Sequence, residues 1–65
     1  MKQQVRILYV NWKGVEGYRI IIPAKLWYGH TEFHFEDQWL LDAFDCDKNM
    51  PRSFAMKDIK HWENL

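Results

Sequence analysis

The chain reads as a small all-β protein, an antiparallel barrel of about five strands. Three observations point there. Apolar and β-branched residues come in short alternating runs. Turn-forming Gly, Asn, Asp and Pro separate the runs. No segment carries the sustained 3.6-residue period of a long helix. Taken in order, Val5 to Val10 is a first strand, rich in β-branched and aromatic residues. Asn11 to Gly17 holds two glycines and forms a hairpin connection. Tyr18 to Tyr28 is a long second strand. Simple alternation puts Ile20, Ile22, Ala24 and Leu26 on one face, and Arg19, Ile21, Lys25 and Trp27 on the other. Pro23 lies inside that strand and donates nothing to a ladder, which requires an edge position or a bulge. Gly29 to Asp37 is a polar loop. Gln38 to Asp45 is the third strand, Cys46 to Pro51 a turn, and Arg52 to Met56 the fourth strand. Lys57 and Asp58 fit one short helical turn. Ile59 to Glu63 is the last strand, and Asn64 and Leu65 fray.

Sixty-five residues make a single domain, spanning 1–65. A chain of this size buries only about 60% of its unfolded surface, so its stability margin is thin. The single cysteine, Cys46, excludes an internal disulfide, and no Cys-rich zinc spacing exists. Dense packing and oligomerisation remain. Hydrophobic residues are 48% of the chain and aromatic residues 17%, more rings than so small an interior holds. Some must lie at the surface, where aromatic clusters mark binding patches.

The formal net charge is zero, which argues against a broad basic duplex-binding stripe. No apolar run approaches the roughly 18 residues of a membrane span, and the start of the chain lacks a signal-peptide pattern. The expectation is a cytoplasmic protein with Cys46 reduced and no membrane partner.

The stretch from Gln38 to Ile59 carries a more specific pattern. Trp39, Leu41 and Ala43 form a tryptophan-leucine-alanine strand. Arg52 and Phe54 follow as Arg-x-Phe, and Ile59 closes the run. Upstream lie Tyr9, Arg19 and Pro23. The pattern resembles the WYL domain, a small bacterial module. The resemblance covers most of the chain, with short and degenerate motifs. It implies an SH3-like or Sm-like barrel acting in bacterial or phage regulation. In that family the barrel usually accompanies a helix-turn-helix DNA-binding domain, so this chain reads as the module alone. The resemblance also implies binding of a nucleotide-like ligand or single-stranded nucleic acid through arginines and aromatics. The candidate site residues are then Arg19, Arg52, Phe54, Trp39, Tyr9 and Lys57.

The residues admit two accounts of the arginines. Each presents a rigid donor fork for phosphate or carboxylate, beside rings that stack a base. Alternatively, both pair with Asp42, Asp45 or Glu16 on a solvated sheet face. One departure bears on the choice. The family often has arginine before the final isoleucine, and here Asp58 stands there. Lys57 is a poor substitute, because neighbouring strand residues point to opposite faces.

Other chemistry finds little support. His30 and His34 sit four apart in a loop, where a shared metal lacks further ligands. Asp45 and Asp47 flank Cys46 and oppose thiolate formation. Asp42, Asp45 and Asp47 read as a solvated strand end rather than a cation site. Ser53 is the only serine and has no triad partners, and no phosphate-cradling glycine loop occurs. The expectation is a non-enzymatic regulatory binding module without cofactor or metal. Its alternative is a protein-interaction module, in which rings such as Trp12, Trp27 or Trp62 dock on a partner protein or on another copy in a homo-oligomer.

Overall fold

The computed structural model describes residues 3–65 and shows an all-β chain. Its strands are β1 (Val5–Val10), β2 (Glu16–Gly29), β3 (Gln38–Asp45), β4 (Met50–Ala55) and β5 (Ile59–Asn64). One 3-10 turn, Met56–Asp58, joins β4 to β5. The five strands form one antiparallel sheet in the order β4-β3-β2-β1-β5. Ladder pairing stops at β4 on one side and β5 on the other, so the sheet is not closed into the barrel expected from sequence. No helix among the described residues is long and apolar enough to cross a membrane.

Side-chain hydrogen bonds set the turns. Between β1 and β2, Asn11 Oδ1 accepts the N–H groups of Lys13 and Val15 at 2.9 and 3.0 Å. Gly14 takes a left-handed φ of 78° there, which a glycine adopts without strain. Between β3 and β4, Asp45 Oδ1 accepts the N–H groups of Asp47 and Lys48 at 3.0 and 3.1 Å. Asn49 adopts φ 57°, a conformation asparagine tolerates. In the longer loop, Thr31 Oγ1 accepts the N–H groups of Phe33 and His34.

The bulge required by Pro23 is present: the β2–β3 register shifts between Pro23 and Lys25. It corrects the simple alternation along β2. Arg19 and Ile21 share the core face with Val5 and Ile7, their partners on β1. Beyond the bulge the parity inverts, so Leu26 pairs with Leu41 on that same face while Lys25 and Trp27 stay opposite. β2 therefore serves two partners. Glu16 to Ile21 pair with β1, and Ile21 to Gly29 pair with β3.

The core is Val5, Ile7, Tyr9, Ile21, Leu41, Ala43 and Phe54, with Met56 and Ile59 packed against it. Tyr9 and Phe54 meet edge to face, with centroids 5.0 Å apart. The Ala55 N–H donates to Tyr9 Oη across 3.4 Å. This contact joins β4 to β1, which β3 and β2 separate in the sheet order. The sheet must curl to make it. Burial raises the Tyr9 hydroxyl pKa above its ordinary value; the Ala55 hydrogen bond opposes the rise and the nearby Asp58 charge adds to it.

Phe54→Ala should cost about 3–5 kcal/mol, a large share of the roughly 5–15 kcal/mol typical of a domain. Tyr9→Phe, which removes only the hydroxyl acceptor, should cost about 1 kcal/mol. Urea unfolding followed by tryptophan fluorescence measures both. A Phe54→Ala variant within about 1 kcal/mol of wild type would refute the assignment of this core.

Candidate binding cleft

Of the six residues singled out from sequence, four are linked by contacts: Tyr9 packs on Phe54, Arg52 lies over Phe54, and Arg52 and Arg19 face the same carboxylate. Phe54 is fully buried and Tyr9 nearly so, which makes both core packing rather than stacking platforms. Trp39 is exposed and packs edge to face on Tyr28, with centroids 5.4 Å apart. Lys57 lies in the 3-10 turn, where its carbonyl accepts from Lys60 Nζ at 3.3 Å. Arg19 and Arg52 do converge, and on a carboxylate of the chain itself.

That carboxylate is Asp45, with 0% of its surface exposed. Its Oδ2 lies 3.6 Å from Arg19 Nη1 and 3.8 Å from Arg52 Nη1. Both distances exceed hydrogen-bond reach, and Oδ2 has no hydrogen-bond partner. Its Oδ1 is tied by the two turn amides described above. One buried charge thus holds two cations loosely while closing the β3–β4 turn. The pairing account of the arginines applies to Asp45, although the partner is buried rather than on a solvated face. The side chain of Arg19 is 21% exposed and that of Arg52 is 37% exposed. Arg52 also lies over the Phe54 ring, 5.6 Å from its centroid.

Arg52 opens onto a cleft of about 1100 Å³. Met50, Pro51, Arg52 and Ser53 form one side, with Tyr9, Asn11 and Trp12 from the end of β1 and its turn. Thr31 to His34 of the long loop contribute a wall. The rings of Trp12 and Phe33 are 89% and 83% exposed. Four consecutive residues of β4 line the cleft, although neighbours on a strand face opposite ways. Ala24 of β2 and Asp42, Ala43 and Phe44 of β3 line it as well.

Asp42 is the second charged anchor in the cleft. Ser53 Oγ donates to its Oδ1 at 2.6 Å, and Trp27 Nε1 donates to the same oxygen at 2.9 Å. The Ser53 bond first, then the Trp27 bond, hold its carboxyl below the usual pKa. Trp27 is half-buried and tied to Asp42, and its ring lies over Gly29. A Cβ at Gly29 would fall 2.6 Å from that ring, so a larger residue there would have to displace it. Glu32 adds a second acid to the lining, against Arg52 as the strong cation.

Asn11, Asp42 and Ser53 were not picked out as site residues from sequence, and only their convergence in space marks them. Trp12 carried a signal, being a large ring in a polar, glycine-containing turn. His30 Nδ1 lies 2.8 Å from Asp37 Oδ1 on the surface, and no group of three metal-ligating side chains occurs among the described residues. Comparison with protein-family models, curated proteins and solved structures gives no match for this chain.

Asp45→Asn keeps the turn acceptor but removes the charge facing two guanidinium groups. It should cost about 2–3 kcal/mol, less than the 3–5 kcal/mol of a fully buried pair because both arginines reach solvent. Asp45→Ala should cost more, since the turn amides also lose their acceptor. Chemical denaturation of the two variants checks the order, and equal losses would show that the turn bonds contribute nothing. For Asp42 the folded pKa lies below the unfolded value. Its contribution is thus present above the unfolded pKa and lost as pH falls through the folded one. Asp42→Asn should flatten the decline of stability in that acidic window. Parallel slopes for variant and wild type would refute it.

Proposed function

We propose that the protein is a non-enzymatic regulatory binding module whose cleft takes a segment of a partner protein. The cleft's balance of charge and aromatic surface carries this reading. Trp12 and Phe33 stand almost fully exposed beside it, as interface anchors do before a partner covers them. Arg52 is outnumbered by Asp42 and Glu32, and Asp45 already neutralises part of its charge. A phosphate-bearing ligand meets two acids there, whereas a polypeptide with mixed charge does not. The strand order and the bulge in β2 support relating the fold to SH3-like barrels open at one seam, and through them to WYL domains.

A nucleotide-like ligand or short single strand is the second reading. Arg52 beside exposed rings favours it, since that pairing binds phosphate and stacks bases.

Selection from a displayed random-peptide library on the wild-type protein tests the first reading. Enriched peptides should lose about thirtyfold or more in affinity for Trp12→Ala, the loss expected at an interface anchor worth about 2 kcal/mol or more. Peptides that bind Trp12→Ala and Phe33→Ala as well as wild type would remove the cleft from the reading. Mononucleotides and oligothymidylate, titrated in parallel, should bind weakly. If they bind tightly and Arg52→Ala abolishes it, the second reading replaces the first.

A further inference from the structure

We propose that the open edge of β4 accepts an extended peptide as an added strand. We further propose that the peptide carries adjacent acidic and basic residues, the acidic one beside Arg52 and the basic one beside Asp42. The proposal rests on the reading of the cleft as a protein-binding site and names the partner's chemistry.

The direction of the backbone groups follows from three observations. The Ala55 N–H donates to Tyr9 Oη, on the side of β4 away from β3. Along a regular antiparallel strand, alternate residues point their N–H and C=O groups to the same side. Pro51 and Ser53 therefore point outward with Ala55. Pro51 agrees, because proline sits where no ladder N–H is needed. Cys46 agrees from the next strand: its N–H donates to the Ile20 carbonyl on β2 at 2.9 Å. Even-numbered residues of β3 then face β2, and Ala43 faces β4 to pair with Arg52.

The outer edge beside the cleft thus offers one amide donor, Ser53 N–H, between the carbonyls of Pro51 and Ser53. No strand of the sheet lies beyond it. This donor and two acceptors match the main chain of an incoming strand. The other open edge differs. β5 carries Lys60, His61 and Glu63, and Glu63 is tied to Arg6. Charged side chains of this kind protect an edge from pairing.

Side chains then fix the sequence of the guest. Arg52 pairs with Ala43 on the core face, and Ser53 pairs with Asp42 on the opposite face. A guest residue opposite Arg52 meets a guanidinium only loosely held by Asp45. Its neighbour, opposite Ser53, meets the ionised carboxylate of Asp42. Neighbours on a strand alternate faces, so the two guest charges are consecutive and opposite in sign.

The test uses capped nine-residue peptides of alternating valine and threonine with a central Glu-Lys, Glu-Glu or Lys-Lys step. Binding is read from the protein's tryptophan fluorescence. The Glu-Lys peptide should bind about tenfold tighter than either like-charged one. Ser53→Pro, which deletes the outward donor, should weaken it about tenfold. In the wild-type protein, saturating peptide should slow hydrogen exchange of the Ser53 amide about tenfold, a readout that needs no variant. Unchanged exchange under saturation, equal binding of the three peptides, or full binding by Ser53→Pro overturns strand addition. Library peptides that depend on Trp12 yet leave the Ser53 amide unprotected would overturn it while leaving the cleft a protein-binding site. If neither these peptides nor any library peptide binds, both readings fall.

Discussion

The bulge between Pro23 and Lys25 is the constraint on which the rest of this fold depends. A single strand, β2, must pair with β1 along its first half and with β3 along its second. A flat strand would keep both partners in one plane and leave the apolar face uncovered. The extra residue bends the strand and increases its twist. The sheet then curls far enough for Tyr9 of β1 to reach Ala55 of β4. Ile21, at the handover between the two pairings, is fully buried because neighbours surround it on both sides. The same curl leaves the cleft between the end of β1 and the edge of β4.

Local signals in the sequence locate the strands well. Gln38–Asp45 and Val5–Val10 have the bounds that alternation and turn residues predict. Pro23 announces a break in the β2 ladder. What a local reading misses is the consequence of that break. The inserted residue inverts the parity, so faces assigned by counting twos are wrong beyond it. Leu26 and Trp27 exchange their expected neighbours for this reason. The arginine partner was illegible for a related cause. Asp42, Asp45 and Glu16 are alike in charge, and only the register of three strands places Asp45 between Arg19 and Arg52. Phe54 and Tyr9 look like stacking rings in a motif, yet a core of so few side chains needs both.

Asp45 shows why a polar group survives in so small an interior. Burying a carboxylate is expensive, and its attraction to two partly exposed guanidinium groups does not guarantee a net gain. Its second oxygen makes no hydrogen bond at all. The first oxygen supplies what a hydrophobic replacement lacks, two acceptor contacts that close the β3–β4 turn in one register. A slip of one residue would put Asp45 on the other face and separate it from both arginines. The buried charge therefore acts as a register pin for β4, and β4 carries the edge that borders the cleft.

The surface follows from the same geometry. Eleven aromatic residues are too many for a sheet whose core cluster uses Tyr9 and Phe54. Trp27 is half-buried against Asp42, while Trp12, Phe33 and Phe35, in the first turn and the long loop, stand in solvent. Exposed rings of this kind are a solubility liability unless something covers them. An open strand edge is a second liability, normally blunted by proline or charge. At β4 the two coincide, and Pro51 blunts the edge only in part, because the next outward position is Ser53. A chain shaped only for solubility would place a charged or proline residue there. The edge thus keeps one outward donor beside acidic and basic side chains, which is what the proposed strand addition uses.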